Sequence, residues 1–129
     1  MAQIMIAPSK YMQGPGAIRE VGPHVAALGK NAVILGSKSG FASVQEDLEK
    51  ALADAGVKFH YERFMGECSR KEIDRVNAVV KAHGGDVVLA VGGGKCIDAG
   101  KAVAHENKVP VVVVPTIAST DAPCSALAV

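Results

Sequence analysis

Apolar positions along the chain switch repeatedly between two spacings. Short segments are apolar at every position or at every second one, and between them apolar residues recur every three or four. Ile4–Ile6 and Tyr11–Gln13 read as extended segments that pair with each other. Ile18, Val21, Val25 and Leu28 share one helical face, with a break expected near Gly22, because Pro23 suits a first turn better than a helix interior. Ala32–Leu35 reads as a strand, followed by the loop Gly36-Ser-Lys-Ser-Gly40. Ser43 is the expected cap of the next helix, which carries Val44, Leu48, Ala51, Leu52 and Ala55 and stops at Gly56. Val57–Phe64 alternates roughly, as a strand does. Ser69-Arg-Lys-Glu72 has capping-box spacing and opens a helix with Ile73, Val76 and Val80 inward, which Gly84-Gly85 ends. A strand over Val87–Val91, a helix over Lys95–Asn107 and a strand over Val111–Val114 follow.

Strands alternating with helices imply an α/β fold, a doubly wound and mainly parallel sheet with helices on both faces. The last two strands are apolar on both sides, as strands covered by helices on each face must be. The 129 residues suffice for one domain, with no repeat, linker or low-complexity tract. The chain stops within the apolar stretch Ser125-Ala-Leu-Ala-Val129, which reads as a piece of a longer protein. Hydrophobic residues make up 49% but aromatic ones only 4%, so the core must be aliphatic.

Charge narrows the partners. A formal net charge of +1 provides no strong field to draw nucleic acid or an anionic membrane. The apolar runs are strand-sized, far short of a membrane span, and no basic stretch precedes the N-terminal apolar residues. Three widely spaced cysteines, Cys68, Cys96 and Cys124, suit a reducing cytoplasm and no disulfide framework. Cys68 and Cys124 read as small packing residues. The four histidines have no metal-ligand spacing.

Chemistry concentrates at two strand ends. Gly92-Gly-Gly-Lys-Cys-Ile-Asp98 follows the apolar run to Val91 and opens a helix. It is neither a Walker A loop nor a Gly-x-Gly-x-x-Gly fingerprint, since position 89 is Leu, Cys96 follows Lys95 and position 97 is Ile. A glycine turn at a helix N-terminus still offers free N–H donors and partial positive charge to a phosphate. Glycines placed there to allow tight helix–sheet packing are the alternative, and spacing alone favours the nucleotide reading by a narrow margin. Thr116-Ile-Ala-Ser-Thr-Asp121, dense in hydroxyls, taken alone reads as a solvated turn. Phe64-Met-Gly-Glu-Cys-Ser69 is placed at the same edge and is expected to line the cleft.

Taken together, Gly92-Gly-Gly-Lys-Cys-Ile-Asp-Ala-Gly-Lys101 and Pro115-Thr-Ile-Ala-Ser-Thr-Asp-Ala-Pro-Cys-Ser-Ala-Leu127 resemble the glycerol dehydrogenase family. That family lies within the metal-dependent, iron-type alcohol dehydrogenases, whose fold is shared with dehydroquinate synthase. Pro8-Ser-Lys-Tyr11, Gln13-Gly14 and Gly66-Glu-Cys-Ser69 match as well. The resemblance implies an incomplete NAD-binding N-terminal domain over residues 1–129, about the first third of a family member. Gly94, Lys95 and Asp98 would hold the NAD pyrophosphate and ribose, within a cofactor set that includes Gly93, Cys96 and Ile97. Thr116 and Ser119, with Ile117 and Ala118, would lie near the nicotinamide half, and Ser125 and Leu127 would line the same cleft. Asp121 would bind the hydroxyls of a small polyol, glycerol.

Ser37 stands where the family often carries an acidic residue for the adenosine ribose, and a neutral hydroxyl cannot repel a 2′-phosphate. The family's zinc ligands, one Asp and two His, are expected beyond Val129, so the chain holds no catalytic or metal residue and is expected to be inactive alone. The parent would be a cytoplasmic homo-oligomer oxidising glycerol to dihydroxyacetone. A nucleotide-binding module without chemistry and a dehydroquinate synthase-like lyase are the rival readings.

Overall fold

A computed structural model describes residues 3–6, 10–13 and 17–116 of the chain. Strands β1 (Gln3–Ile6) and β2 (Lys10–Gln13) form an antiparallel pair in which Met5 faces Tyr11. A single 3₁₀ turn, Ala17–Glu20, leads into α1 (Val21–Leu28). Then β3 (Asn31–Gly36), α2 (Lys38–Asp54), β4 (Lys58–Arg63) and α3 (Arg70–His83) follow. Last come β5 (Val87–Gly92), α4 (Gly94–Asn107) and β6 (Val111–Pro115).

The six strands lie in the order β2-β1-β6-β5-β3-β4. β6, β5, β3 and β4 are mutually parallel, and β1 joins β6 antiparallel. Helices cover both faces. On one, Val21 and Val25 of α1 and Phe41, Leu48 and Leu52 of α2 pack on Ile34, Leu89 and Val112. On the other, Val76 and Val80 of α3 and Ala99 and Val103 of α4 pack on Val33, Leu35 and Val88. Every residue of β5 is buried, which explains its unbroken apolar run. Each fully buried Val or Leu contributes about 1.5–3 kcal/mol relative to exposure, so this aliphatic core carries most of the folding free energy. Among the described residues, no helix is long and apolar enough to cross a membrane.

The doubly wound fold is as the periodicity implies, with local corrections. The helix expected to start at Ser43 starts at Lys38 instead. Ser37 is its cap and accepts from the Gly40 N–H at 3.1 Å, while the Ser43 hydroxyl donates to the Gly40 carbonyl at 2.7 Å. The break expected near Gly22 is present, where the 3₁₀ turn gives way to α1 at Val21, and Pro23 lies in the first turn of α1. Position 22 is glycine because a Cβ there would strike the Ala51 carbonyl oxygen of α2. Cys68 is exposed and therefore not a packing residue. Ser69 does cap α3, accepting from the Glu72 N–H at 3.2 Å, and Gly84, at φ +63°, closes that helix.

Candidate functional site

From β3 the chain enters α2 on one face of the sheet, and from β5 it enters α4 on the opposite face. These two strands are neighbours. Their carboxyl ends therefore splay the chain apart and leave a crevice, the position where open α/β sheets hold ligands. Ser37 lies on the β3 side and Gly92, Gly93, Gly94 and Lys95 on the β5 side. The ends are tied by the Ser37 N–H donating to the Val91 carbonyl at 3.2 Å and the Thr116 N–H donating to the Gly92 carbonyl at 3.1 Å. Thus the second polar loop begins beside the glycine turn, as the sequence implies.

Gly92 turns the corner at φ +151°, a conformation for glycine, and a Cβ there would meet Ser37 and Cys96. Gly93 and Gly94 differ. A Cβ built on either meets nothing within 4 Å. Packing therefore does not explain these two glycines. It does explain Gly100 on the same helix, where a Cβ would lie 2.5 Å from that of Ala90.

Helix α4 also starts differently from α2 and α3, which have serine caps. Its N-cap is Gly93, with no side-chain hydrogen bond. The first i−4 bond runs from the Ile97 N–H to the Gly93 carbonyl, so the N–H groups of Gly94, Lys95 and Cys96 precede it with no intrahelical acceptor. Beside them an open cavity of about 310 Å³ is lined by Ser37, Phe64, Gly66, Gly93, Gly94, Lys95 and Cys96. Thr116 adds a buried hydroxyl oxygen with no hydrogen-bond partner among the described residues. Amides without intrahelical acceptors, bare glycines and a cavity fit the diphosphate end of a nucleotide.

The remaining wall is the loop from Phe64 to Ser69, and Glu72 holds it in place. Its carboxylate accepts from the Met65 N–H at 2.9 Å and from Arg75 at 2.8 Å. Arg75 also binds Glu62 and the Arg63 carbonyl, joining β4 to α3. The Arg75 hydrogen bond is the largest influence on Glu72 and holds its carboxyl below the ordinary 4.5, with burial opposing. Burial pushes Glu62 up, but hydrogen bonds from Arg75 and His60 outweigh it and hold Glu62 low too. Carboxyls whose pKa falls on folding stabilise the native state above the unfolded value and lose that contribution as pH drops through the folded one. The urea midpoint is therefore expected to fall as pH drops below 4.5. Arg75→Met should flatten this acid limb and cost about 1–2 kcal/mol at pH 7, a modest value because the pair is partly solvated. An unchanged acid limb in Arg75→Met would assign the pH dependence to other carboxyls.

The residues expected at the site fall into four groups. Ser37, Gly93, Gly94 and Lys95 line the cavity, and the exposed Lys95 ammonium lies 3.3 Å from Glu67. Cys96 and Ile97 turn their side chains into the core, so only their main chain is available to a ligand. The Cys96 thiol donates to the Leu35 and Val91 carbonyls, and burial raises its pKa to about 11, so it is a packing group and not a thiolate. Asp98 is exposed early in α4, and Thr116 follows β6. Ile117, Ala118, Ser119, Asp121, Ser125 and Leu127 lie outside the described residues, as does Cys124. Sequence reasoning missed the Glu72 tether, although the capping-box spacing already turns Glu72 back towards the loop. Among the described residues no group of three His, Cys, Asp or Glu side chains could hold a metal ion.

Comparison with known proteins finds relatives of the whole chain. Residues 8–129 match the family model described as iron-containing alcohol dehydrogenase. The whole chain is 42% identical to a glycerol dehydrogenase of Escherichia coli O6:H1 and 39% identical to one of Pseudomonas putida, covering 35% of each. A crystal structure of a probable glycerol dehydrogenase from Sinorhizobium meliloti 1021 superimposes with a TM-score of 0.69 at 40% identity. That match covers 84% of this chain and 28% of the other. The chain thus spans about a third of the length of the curated relatives it matches.

Proposed function

The chain belongs to the iron-containing alcohol dehydrogenase family, and from that premise we propose that it is the NAD-binding part of a polyol dehydrogenase acting on glycerol. The observation that carries the reading is the open space over Gly93 and Gly94, at a helix start with no side-chain cap. Bound there, NAD supplies the acceptor for the hydride that leaves an alcohol carbon as it becomes a carbonyl. The chain's own part is to bind and orient. The amides of Gly94, Lys95 and Cys96 hold the diphosphate, and the Lys95 ammonium, still paired with Glu67, adds charge at its edge. Asp98 takes a ribose hydroxyl, and the Thr116 hydroxyl, with Ile117, Ala118 and Ser119, orients the nicotinamide half. Asp121 reads the hydroxyls of the polyol, and Ser125 and Leu127 belong to the lining of the cofactor cleft.

The described residues hold no side-chain cluster that fits a metal ion. In this reading the zinc ligands belong to sequence following residue 129 in the longer protein. Glycerol is supported by relatives named glycerol dehydrogenase at 39–42% identity. Saturable NADH binding to the purified chain, displaced by ADP-ribose in calorimetry, tests the cofactor half, and absence of binding at millimolar NADH would refute it. In the full-length protein, Asp121→Asn is expected to raise KM for glycerol about tenfold or more through one lost charge-assisted hydrogen bond, leaving KM for NAD unchanged. Movement of the NAD constant alone would remove Asp121 from the substrate side.

A further inference from the structure

We propose that Ser37, Lys38 and Arg63 form a corner that accepts a 2′-phosphate on the adenosine ribose, so that the cleft takes the 2′-phosphorylated nicotinamide dinucleotide as well as the plain one. This rests on the dinucleotide reading above and deepens it. In such crevices the ribose is read at the end of the strand beside the glycine turn. A carboxylate there hydrogen-bonds the 2′-hydroxyl, whereas a nearby Arg accommodates a 2′-phosphate.

Here that strand is β3, and the residue after it is Ser37, which lines the same cavity as Gly93 and Gly94. The first turn of α2 contains no acidic residue and begins with the exposed Lys38. Arg63 is the register partner of Gly36 on β4, the next strand over. It also lies two residues after Tyr61, and alternation puts both side chains on one face. Tyr61 stacks on Phe41 of α2 with ring centroids 3.9 Å apart, so that face is the α2 face. The Tyr61 hydroxyl senses the Arg63 charge. Burial raises its pKa, and Arg63 is the largest influence pulling it back.

Nearby carboxylates are otherwise engaged. Glu62 points to the opposite face, bound by Arg75 and His60, and Glu67 is paired with Lys95. Neither Lys38 nor Arg63 forms a side-chain ion pair among the described residues. Two exposed cations and a hydroxyl therefore border the place where discrimination against a phosphate would need an anion.

Calorimetry of the purified chain with NADH and NADPH tests the proposal. The native chain is expected to bind the two within about tenfold of each other, because no anion repels the added phosphate. Lys38→Ala combined with Arg63→Ala should weaken NADPH about tenfold or more, the loss expected for a charge-assisted contact, and leave NADH nearly unchanged. Ser37→Asp preserves the helix cap, since Asp caps as well as Ser, and should lower NADPH affinity relative to NADH by a similar factor. NADPH bound more than about a hundredfold more weakly than NADH by the native chain would overturn the corner while leaving the cofactor reading intact. So would a double variant that weakens both ligands equally. Failure of both ligands to bind would overturn the cofactor reading and the corner with it.

Discussion

Gly94→Val is expected to give a chain that folds normally and does not bind NAD. The backbone there is helical, and a Cβ added at this position meets no atom of the described residues within 4 Å. Helix propensities of Gly and Val differ by only about 0.5 kcal/mol, so the urea midpoint should hardly move. The isopropyl group would occupy the approach of a diphosphate to the amides of residues 94–96. Each charge-assisted hydrogen bond lost is worth about 1.5–3 kcal/mol, so losing two weakens binding by about a hundredfold or more. Calorimetry with NADH measures this directly. Unchanged affinity would mean the glycine turn does not touch the coenzyme.

Six residues further along the same helix, the identical substitution should do the reverse. Gly100 presses on the centre of the sheet, where Ala90 is fully buried. Any side chain at position 100 must push α4 away from β5 or distort both. Overpacking of this kind costs about 1–3 kcal/mol, and Gly100→Val, branched at the point of contact, belongs at the upper end. The urea midpoint should drop accordingly, while NADH affinity of the molecules still folded changes little. The two variants form one experiment. If Gly94→Val lost stability and Gly100→Val lost binding, the glycine assigned to ligand and the glycine assigned to packing would be exchanged.

That contrast shows what the sequence could and could not disclose. Both glycines stand in the same short run, and nothing in their spacing separates one that admits a ligand from one that admits a strand. The alternating periods were enough for the layered fold, because β5 and β6 are apolar on both sides and α3 carries Val76 and Val80 at helical spacing. The start of α2 was not legible. Its first turn, Lys38-Ser-Gly-Phe41, buries only Gly40 and Phe41 and resembles a loop in composition. Gly40 is required there because a Cβ would collide with the Thr116 hydroxyl and approach Gly92 Cα to 3.0 Å. That constraint comes from strands distant in sequence. The capping box was half legible. Ser69 caps as its spacing implies, but the buried Glu72 accepts from the Met65 amide and Arg75, and no bond from the Ser69 amide to it is present. Arg63 drew no notice as a lone charge at a strand end, and only the register with Gly36 places it beside Ser37.

The antiparallel pairing of β1 with β6 sets an order of assembly. Met5 lies opposite Val113, so that ladder joins segments from nearly the two ends of the described chain. Contacts so remote in sequence carry the greatest loop-closure entropy and form late. On the ribosome β1 must wait with its partner hairpin strand until β6 has emerged, by which time β3, α2, β4, α3 and β5 can already have condensed. The crevice between β3 and β5 is then shaped before Thr116 reaches its rim.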